Sequence, residues 1–336
     1  MAKTLFICTD GTWNTADQKD GGIISPTNVA KMARILLSIP EQQITWYDEG
    51  VGTRDWLDKI TGGAFGHGLF ENVQQAYRYI VENYQPGDRL VLLGFSRGAY
   101  TARSLAGLIA KMGILRKKYI SKIDQVYKLY RKDNIDPDEL DAYRERFSHV
   151  DRDIHFLGIW DTVGALGIPL KSLNWMTSWM YKFHDTRLSP YVKHAFHAIA
   201  VDEKRRSFSP TLWQASNLGD EQIVEQRWFA GVHSNVGGGY KEGGLSDITL
   251  HWMLDKLKAS LPDVQLDEDY IERTVLPDHT DTLRESRSWL YICSWIKPHI
   301  RDTHRSHICN QVIDETVYQR MGCEPCNYKP INITKS

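Results

Sequence analysis

The sequence predicts an α/β chain with a largely parallel central sheet flanked by helices on both faces. Three observations carry this. Short apolar runs with strand character alternate along the chain with segments of helical periodicity, the pattern of crossover-connected parallel strands. One such run, residues 89–93, leads through a tight glycine-flanked turn straight into a helical pattern. The chain of 336 residues is long enough for a large core and shows no linker-like stretch that would cut it.

The elements follow in order. Residues 4–9 read as a first strand, with Asp10-Gly11-Thr12-Trp13-Asn14 as the turn after it. Thr27 caps a helix over 28–37 that places Val29, Met32, Ala33 and Leu36 on one face. Residues 44–47 are a second strand, followed by the turn-rich Asp48-Glu49-Gly50-Val51-Gly52-Thr53. The glycine-rich stretch 62–68 opens a helix with the apolar stripe Phe70, Val73, Tyr77, Ile80 and Tyr84. Pro86-Gly87-Asp88 bounds the buried strand 89–93, and Ala99, Ala102, Leu105, Ala106, Leu108, Ile109 and Met112 recur at helical spacing after it.

Residues 116–148 are charged and read as peripheral helices, with Pro137 in a break. Ile154–Trp160 is a fourth strand and residues 226–231 a fifth; Ser246 is read as the cap of a helix reaching about residue 260. Residues 165–200, rich in aromatics over 170–195, are expected to form a helical, lid-like insertion. Residues 261–336 are expected to be an irregular extension with one strand at 289–296. The whole, 1–336, is read as one domain with its core at about 3–260.

A net charge of −1 supplies no field for nucleic acid. No apolar stretch approaches the roughly 18 residues of a spanning helix, and the run Leu5-Phe6-Ile7-Cys8 is short for a signal peptide. The expected location is the cytoplasm, unless a signal-independent machine exports the chain. Five cysteines, an odd number and mostly C-terminal, argue against a disulfide framework.

Gly94-Phe95-Ser96-Arg97-Gly98 is a G-x-S-x-G pentapeptide between strand and helix, the setting of a nucleophile elbow. A serine hydroxyl is a weak nucleophile until a histidine takes its proton, and that histidine needs a carboxylate to fix its tautomer. With acid and base following the serine in chain order, Asp161 fits the acid, since it stands at the C-terminal end of a strand and before Thr162-Val163-Gly164. His233 fits the base, on the glycine-rich loop after Trp228-Phe229-Ala230-Gly231-Val232. The rivals for the base are His67, His184, His194 and His197; those for the acid are Asp202 and Asp247. An oxyanion needs two N–H groups: Arg97, after the nucleophile, is one candidate, and Gly11 or Thr12 the other. Asp10-Gly11-Thr12 also suggests an aspartate-nucleophile phosphatase, but the second aspartate which that chemistry wants two residues earlier is replaced by Cys8.

Taken with Tyr47-Asp48-Glu49-Gly50-Val51-Gly52-Thr53, Trp160-Asp161-Thr162-Val163-Gly164, the stretch from Ala195 to Glu203, and Val232-His233-Ser234-Asn235-Val236-Gly237-Gly238-Gly239-Tyr240, these motifs resemble the α/β-hydrolase domain family that includes the phospholipase effectors of bacterial type VI secretion. The likeness runs from about residue 3 to residue 255, with a weaker echo over 306–332. It implies an α/β-hydrolase-like fold and a serine esterase or lipase with a Ser-Asp-His triad, which falls on Ser96, Asp161 and His233. Asn235 departs from the aspartate expected there in many relatives, a change in loop hydrogen bonding.

Trp175, Trp179 and Phe183 recur at i, i+4, as do Met176 and Met180. As a helix this is a broad apolar face, read either as a lid or acyl-pocket wall with peripheral membrane contact, or as a helix packed on the core. In the tail, His304, His307, Cys309, Cys323 and Cys326 have spacings that could hold zinc, although reduced cysteines are the plainer reading. The expected activity is therefore hydrolysis of an acyl ester or phospholipid, with no cofactor or metal. The alternatives are an esterase or thioesterase for a small soluble substrate and a catalytically silent interaction module on the same fold.

Overall fold

The computed structural model describes residues 2–11, 14–49, 62–132, 134–163, 188–214, 218–219, 221–287, 297–303 and 308–333, with the side chains of 62–70 left aside. Its strands are β1 (Thr4–Thr9), β2 (Lys19–Asp20), β3 (Ile23–Ile24), β4 (Gln43–Asp48), β5 (Arg89–Phe95), β6 (Ile154–Trp160), β7 (Val192–Ala200), β8 (Ile223–Phe229) and β9 (Gln311–Ile313). Its helices are α1 (Asn28–Ile35), α2 (Gly62–Asn83), α3 (Arg97–Met112), α4 (Ile123–Tyr130), α5 (Pro137–Phe147), α6 (His233–Gly237), α7 (Gly244–Ser260), α8 (Glu268–Thr274) and α9 (Glu315–Gly322).

Seven strands form one sheet in the order β4-β1-β5-β6-β7-β8-β9, and every pairing in it is parallel. The α/β-hydrolase-like class, a parallel sheet flanked by helices, is thus the architecture of the chain. Strands buried on both faces explain the continuous apolar runs. Along β1, Leu5 and Ile7 face a layer built from α2, α3 and α4, while Phe6 and Cys8 face α1 and α7. Along β5, Leu90 and Leu92 join the first layer, and Val91, Leu93 and Phe95 the second. The period-two alternation sends successive side chains to opposite faces, and both faces are apolar because both are covered.

Several expectations are corrected. The range assigned to the insertion contains β7, which pairs with β6 on one side and β8 on the other. Lys193, His194 and His197 break its apolar run, and that hides a strand that is central and largely buried. The tail contributes β9, paired with β8, and a third apolar cluster in which Ile308, Val317, Tyr328 and Ile333 pack on Ile199 and Trp228. The expected strand at 289–296 lies outside the described residues. Ser246 is no cap: α7 opens at Gly244, and the Ser246 hydroxyl donates to Gly243 O at 2.9 Å from inside the first turn. Pro137 opens α5 at its first turn, where its missing N–H removes no helical bond. Cys323 and Cys326, expected to be reduced, are joined in a disulfide. Among the described residues no helix is long and apolar enough to cross a membrane.

Candidate active site

All sheet strands being parallel, their C-terminal ends lie on one edge, and three of these ends converge. Ser96 follows β5 directly and precedes α3, with φ 58° and ψ −118°. For a non-glycine residue this is a strained conformation, costing about 1–3 kcal/mol, that the surroundings must hold. The flanking glycines show how. A Cβ on Gly94 would lie 2.6 Å from Gly98 O and 2.7 Å from Ala99 Cα, and one on Gly98 would fall on the carbonyl oxygens of Thr9 and Asp10. The Thr9 hydroxyl closes the joint by donating to Leu93 O at 3.0 Å and Gly98 O at 2.8 Å.

Asp161 ends β6 and is fully buried, with φ 37°. Its N–H donates to Ala198 O at 2.7 Å, which ties the turn to β7. His233 opens α6 four residues past the end of β8, two strands away from β6 in the sheet, and the connecting residues 230–232 bring it to the serine. The rings of Phe95 and Phe208 flank it, with centroids 4.7 and 4.9 Å away. Its N–H donates to Glu203 Oε2 at 3.3 Å, a buried carboxylate that also accepts from Arg205 and Ser286.

These three residues form one hydrogen-bonded chain. His233 Nδ1 donates to Asp161 Oδ2 at 2.5 Å, and His233 Nε2 lies 2.8 Å from Ser96 Oγ. With Nδ1–H committed to the carboxylate, Nε2 is left to accept the serine proton. Burial alone would raise the Asp161 carboxyl. The Arg301 guanidinium and the His233 ring outweigh that and hold it well below the usual carboxylate range, so it is ionised at neutral pH.

The other candidates take different places. Arg97 is the first residue of α3, immediately after Ser96. Gly11 lies against the serine, its ideal Cβ position 3.2 Å from Ser96 Cβ, but its N–H donates to Asp10 Oδ1 at 2.6 Å and is committed there. The same Asp10 carboxylate accepts from Asn14 Nδ2, the Thr27 hydroxyl and the Tyr47 hydroxyl, so it anchors the loop. Thr12 lies outside the described residues, as do Trp175, Met176, Trp179, Met180, Phe183 and the rival His184.

His194 is half-buried beside His155, and His197 is buried with its Nε2 accepting from Thr162 N at 3.1 Å. Asp202 accepts from Gly231 N and the Tyr328 hydroxyl, and Asp247 pairs with Lys31 at 2.5 Å. None of these four carries a bond to Ser96 or His233. Among the described residues no group of three or more His, Cys, Asp or Glu side chains could hold a metal; His304 and His307 lie outside them.

Arg301 escaped the sequence reading. Its Nη1 donates to Asp161 Oδ1 at 2.6 Å and its Nη2 to Asp161 Oδ2 at 3.0 Å, a bidentate pair in which both side chains are essentially inaccessible to solvent. Asn235 likewise has a defined part. Its Oδ1 accepts from Val232 N and Arg284 N, both at 3.3 Å, and its Nδ2 donates to Thr282 O at 3.1 Å, a bond an aspartate could not make.

Comparison with known proteins adds family membership to this geometry. Residues 3–256 match the family model described as "T6SS, Phospholipase effector Tle1-like, catalytic domain". The uncharacterized protein YEL023C of Saccharomyces cerevisiae is 29% identical over 231 residues, covering 61% of this chain and 32% of its own length. A crystal structure of an uncharacterized protein from Pseudomonas aeruginosa aligns at TM-score 0.49 and 18% identity, over 83% of this chain and 49% of that one. The Tle1 effector bound to the VgrG spike of the type VI secretion system aligns at 0.39 and 20%, over 72% and 52%. The esterase Est2 of Thermogutta terrifontis aligns at 0.37 and 11%, over 78% and 84%. The chain therefore spans about a third of the yeast relative and about half of the first two structures. With the family match running through β1 to β8 and every residue of the hydrogen-bonded chain inside it, the protein belongs to the Tle1-like phospholipase effector catalytic-domain family.

Proposed function

We propose that the protein is a serine hydrolase that cleaves acyl ester bonds, with phospholipid or a related lipid ester as its substrate. The observation that carries this reading is the unbroken bond chain from Ser96 Oγ through His233 to an ionised, buried Asp161. Ser96 attacks the acyl carbonyl while His233 Nε2 takes its proton, and Asp161 holds the tautomer and balances the imidazolium. His233 then returns the proton to the leaving alcohol. Water, deprotonated by the same nitrogen, releases the acyl group and restores Ser96.

The oxyanion of each tetrahedral intermediate falls to the N–H of Arg97 at the start of α3, where the helix end favours negative charge. Thr12 is the partner donor in this proposal, since Gly11 donates to Asp10. The lipid part of the reading rests on the family description and on the apolar stripe Trp175, Met176, Trp179, Met180 and Phe183 as acyl-pocket wall and membrane contact.

The test is hydrolysis of p-nitrophenyl esters of increasing chain length, and of mixed phospholipid vesicles, by wild type and Ser96→Ala. Turnover that rises with chain length or on vesicles and vanishes in Ser96→Ala supports the lipolytic reading. Turnover confined to short esters moves the substrate to a small soluble ester. A wild type that neither hydrolyses nor reacts with a fluorophosphonate overturns the proposal in favour of an interaction module.

A further inference from the structure

We infer that Arg301 is a positioning residue for the Ser96–His233–Asp161 site: its guanidinium, delivered by the C-terminal extension, fixes the Asp161 carboxylate and balances its charge behind His233. This rests on the serine-hydrolase reading above. Arg301 lies beyond the family match, which ends at residue 256, so the matched segment does not contain it.

The geometry is that of a clamp. Asp161 stands at a strained backbone position, φ 37°, with no solvent around its side chain. Among the described residues its carboxylate has four donors: Ala200 N at 3.0 Å, Arg301 Nη1 at 2.6 Å, Arg301 Nη2 at 3.0 Å and His233 Nδ1 at 2.5 Å. Two of the four come from Arg301. The guanidinium is itself held from the other side, with Nη1 donating to Ala200 O at 2.7 Å and Nη2 to Phe208 O at 2.5 Å. Each terminal nitrogen thus donates twice, once to the acid and once to the main chain. Phe208 also places its ring 4.9 Å from that of His233, so one arginine ties together the acid, the end of β7 and a wall of the base. Removing it would leave a buried carboxylate missing half its donors, free to rotate away from Nδ1.

The charge has a separate consequence. Beside Arg301 the Asp161 carboxyl stays ionised although it is buried, and the guanidinium is the leading influence that holds it down; without Arg301 the carboxyl rises. The charged and titratable groups around this pair include His197 on β7 and Arg103, and, around the cavity that Arg301 lines, Asp202, Lys204, Arg284, Glu285, His299, Tyr328 and Lys329. Glu203, paired with Arg205, faces His233. None of them changes when Arg301 is replaced.

The experiment measures kcat, KM and the pH profile of kcat/KM on one p-nitrophenyl ester for wild type, Ser96→Ala, Arg301→Gln, Arg301→Lys and Arg301→Ala. For Arg301→Gln, kcat falls roughly a hundredfold with KM little changed, and the acid limb of the profile moves up as the Asp161 carboxyl rises. Arg301→Lys keeps the limb in place and recovers part of kcat. Guanidinium chloride restores Arg301→Ala saturably, reaching its place through the cavity of about 330 Å³ that Arg301 lines together with His299, Tyr328 and Lys329.

A wild-type kcat and limb in Arg301→Gln overturn the inference. So does an equal loss in all three variants with no movement of the limb and no response to guanidinium, the pattern of a residue that only holds the fold. Should the Gln and Ala variants fail to fold, Arg301→Lys decides: lowered kcat at unchanged KM, with fluorophosphonate-titrated active sites and melting temperature as in wild type, supports the clamp, while wild-type kcat, or a loss matched by the melting temperature, refutes it. Activity retained in Ser96→Ala removes the hydrolase reading itself, whereas a dead Ser96→Ala beside indifferent Arg301 variants removes this inference alone.

Discussion

His197 offers a quantitative test of how the acid-bearing turn is supported. It sits on β7, fully buried, and its Nε2 accepts the Thr162 N–H at 3.1 Å, one residue past Asp161. Burial, followed by the nearby Arg103, pushes its pKa down from 6.5 to about 3. Protonation would put a hydrogen on Nε2, facing the Thr162 N–H. Between pH 6.5 and about 3 the unfolded chain therefore binds a proton here that the folded chain refuses, and stability falls as pH drops through that window. Integrating the two titrations makes the loss at pH 5 about 2 kcal/mol. For a chain of this size that is roughly 3 °C in Tm. His197→Gln keeps an acceptor for Thr162 and removes the titration. Thermal melts of both proteins at pH 7 and pH 5 should show the Tm loss between the two pH values smaller in the variant by about that amount. The same loss in both proteins would mean that His197 is already charged or readily hydrated in the fold, and the reasoning would fail.

Other substitutions probe the same edge of the sheet. Asn235→Asp removes the donor to Thr282 O and buries a carboxylate against a carbonyl; we expect a loss of about 2–3 kcal/mol in urea unfolding. Gly98→Ala drives a methyl group into the Thr9 and Asp10 carbonyls, which the β1–elbow joint cannot move aside, so soluble yield and fluorophosphonate labelling should both collapse. Ser96→Gly and Ser96→Ala should be equally inactive, but the glycine variant should be the more stable by about 1 kcal/mol, because only it accepts φ 58° without strain. Equal melting temperatures for that pair would show that the elbow stores no strain.

How far the sequence could be read depended on what each residue needs nearby. Strands β1, β5 and β6 were legible because burial on both faces leaves runs of at least four consecutive apolar or glycine residues, the polar residues falling near their ends. Strand β7 was not, because two of its polar residues have partners that lie elsewhere: His197 serves Thr162, and His194 lies against His155 with the two rings tilted. Ser96, Asp161 and His233 could be nominated since the first two directly follow a strand, the third comes within four residues of one, and each stands beside a glycine-bearing turn. That they meet in space follows from parallel topology, which puts those turns on one edge. Gly11, read beside Thr12 as a candidate oxyanion donor, shows the limit of such reasoning: the aspartate beside it takes its N–H, a contact no spacing rule predicts. Arg301 lay further out of reach. Its neighbours Pro298, His299, Ile300 and Asp302 form no motif, and its partner is 140 residues away.

That separation also orders events in time. On the ribosome, Ser96, Asp161 and His233 have all emerged before the arginine is added, and at ordinary translation speeds Arg301 trails Asp161 by roughly 7–30 s. Strand β9, the seventh of the sheet, is later still. During that interval the nascent chain carries Ser96, Asp161 and His233 without the guanidinium that pairs with Asp161. Under the proposed mechanism the three side chains and the arginine that sets them are made at different times, and hydrolytic competence waits for the arginine.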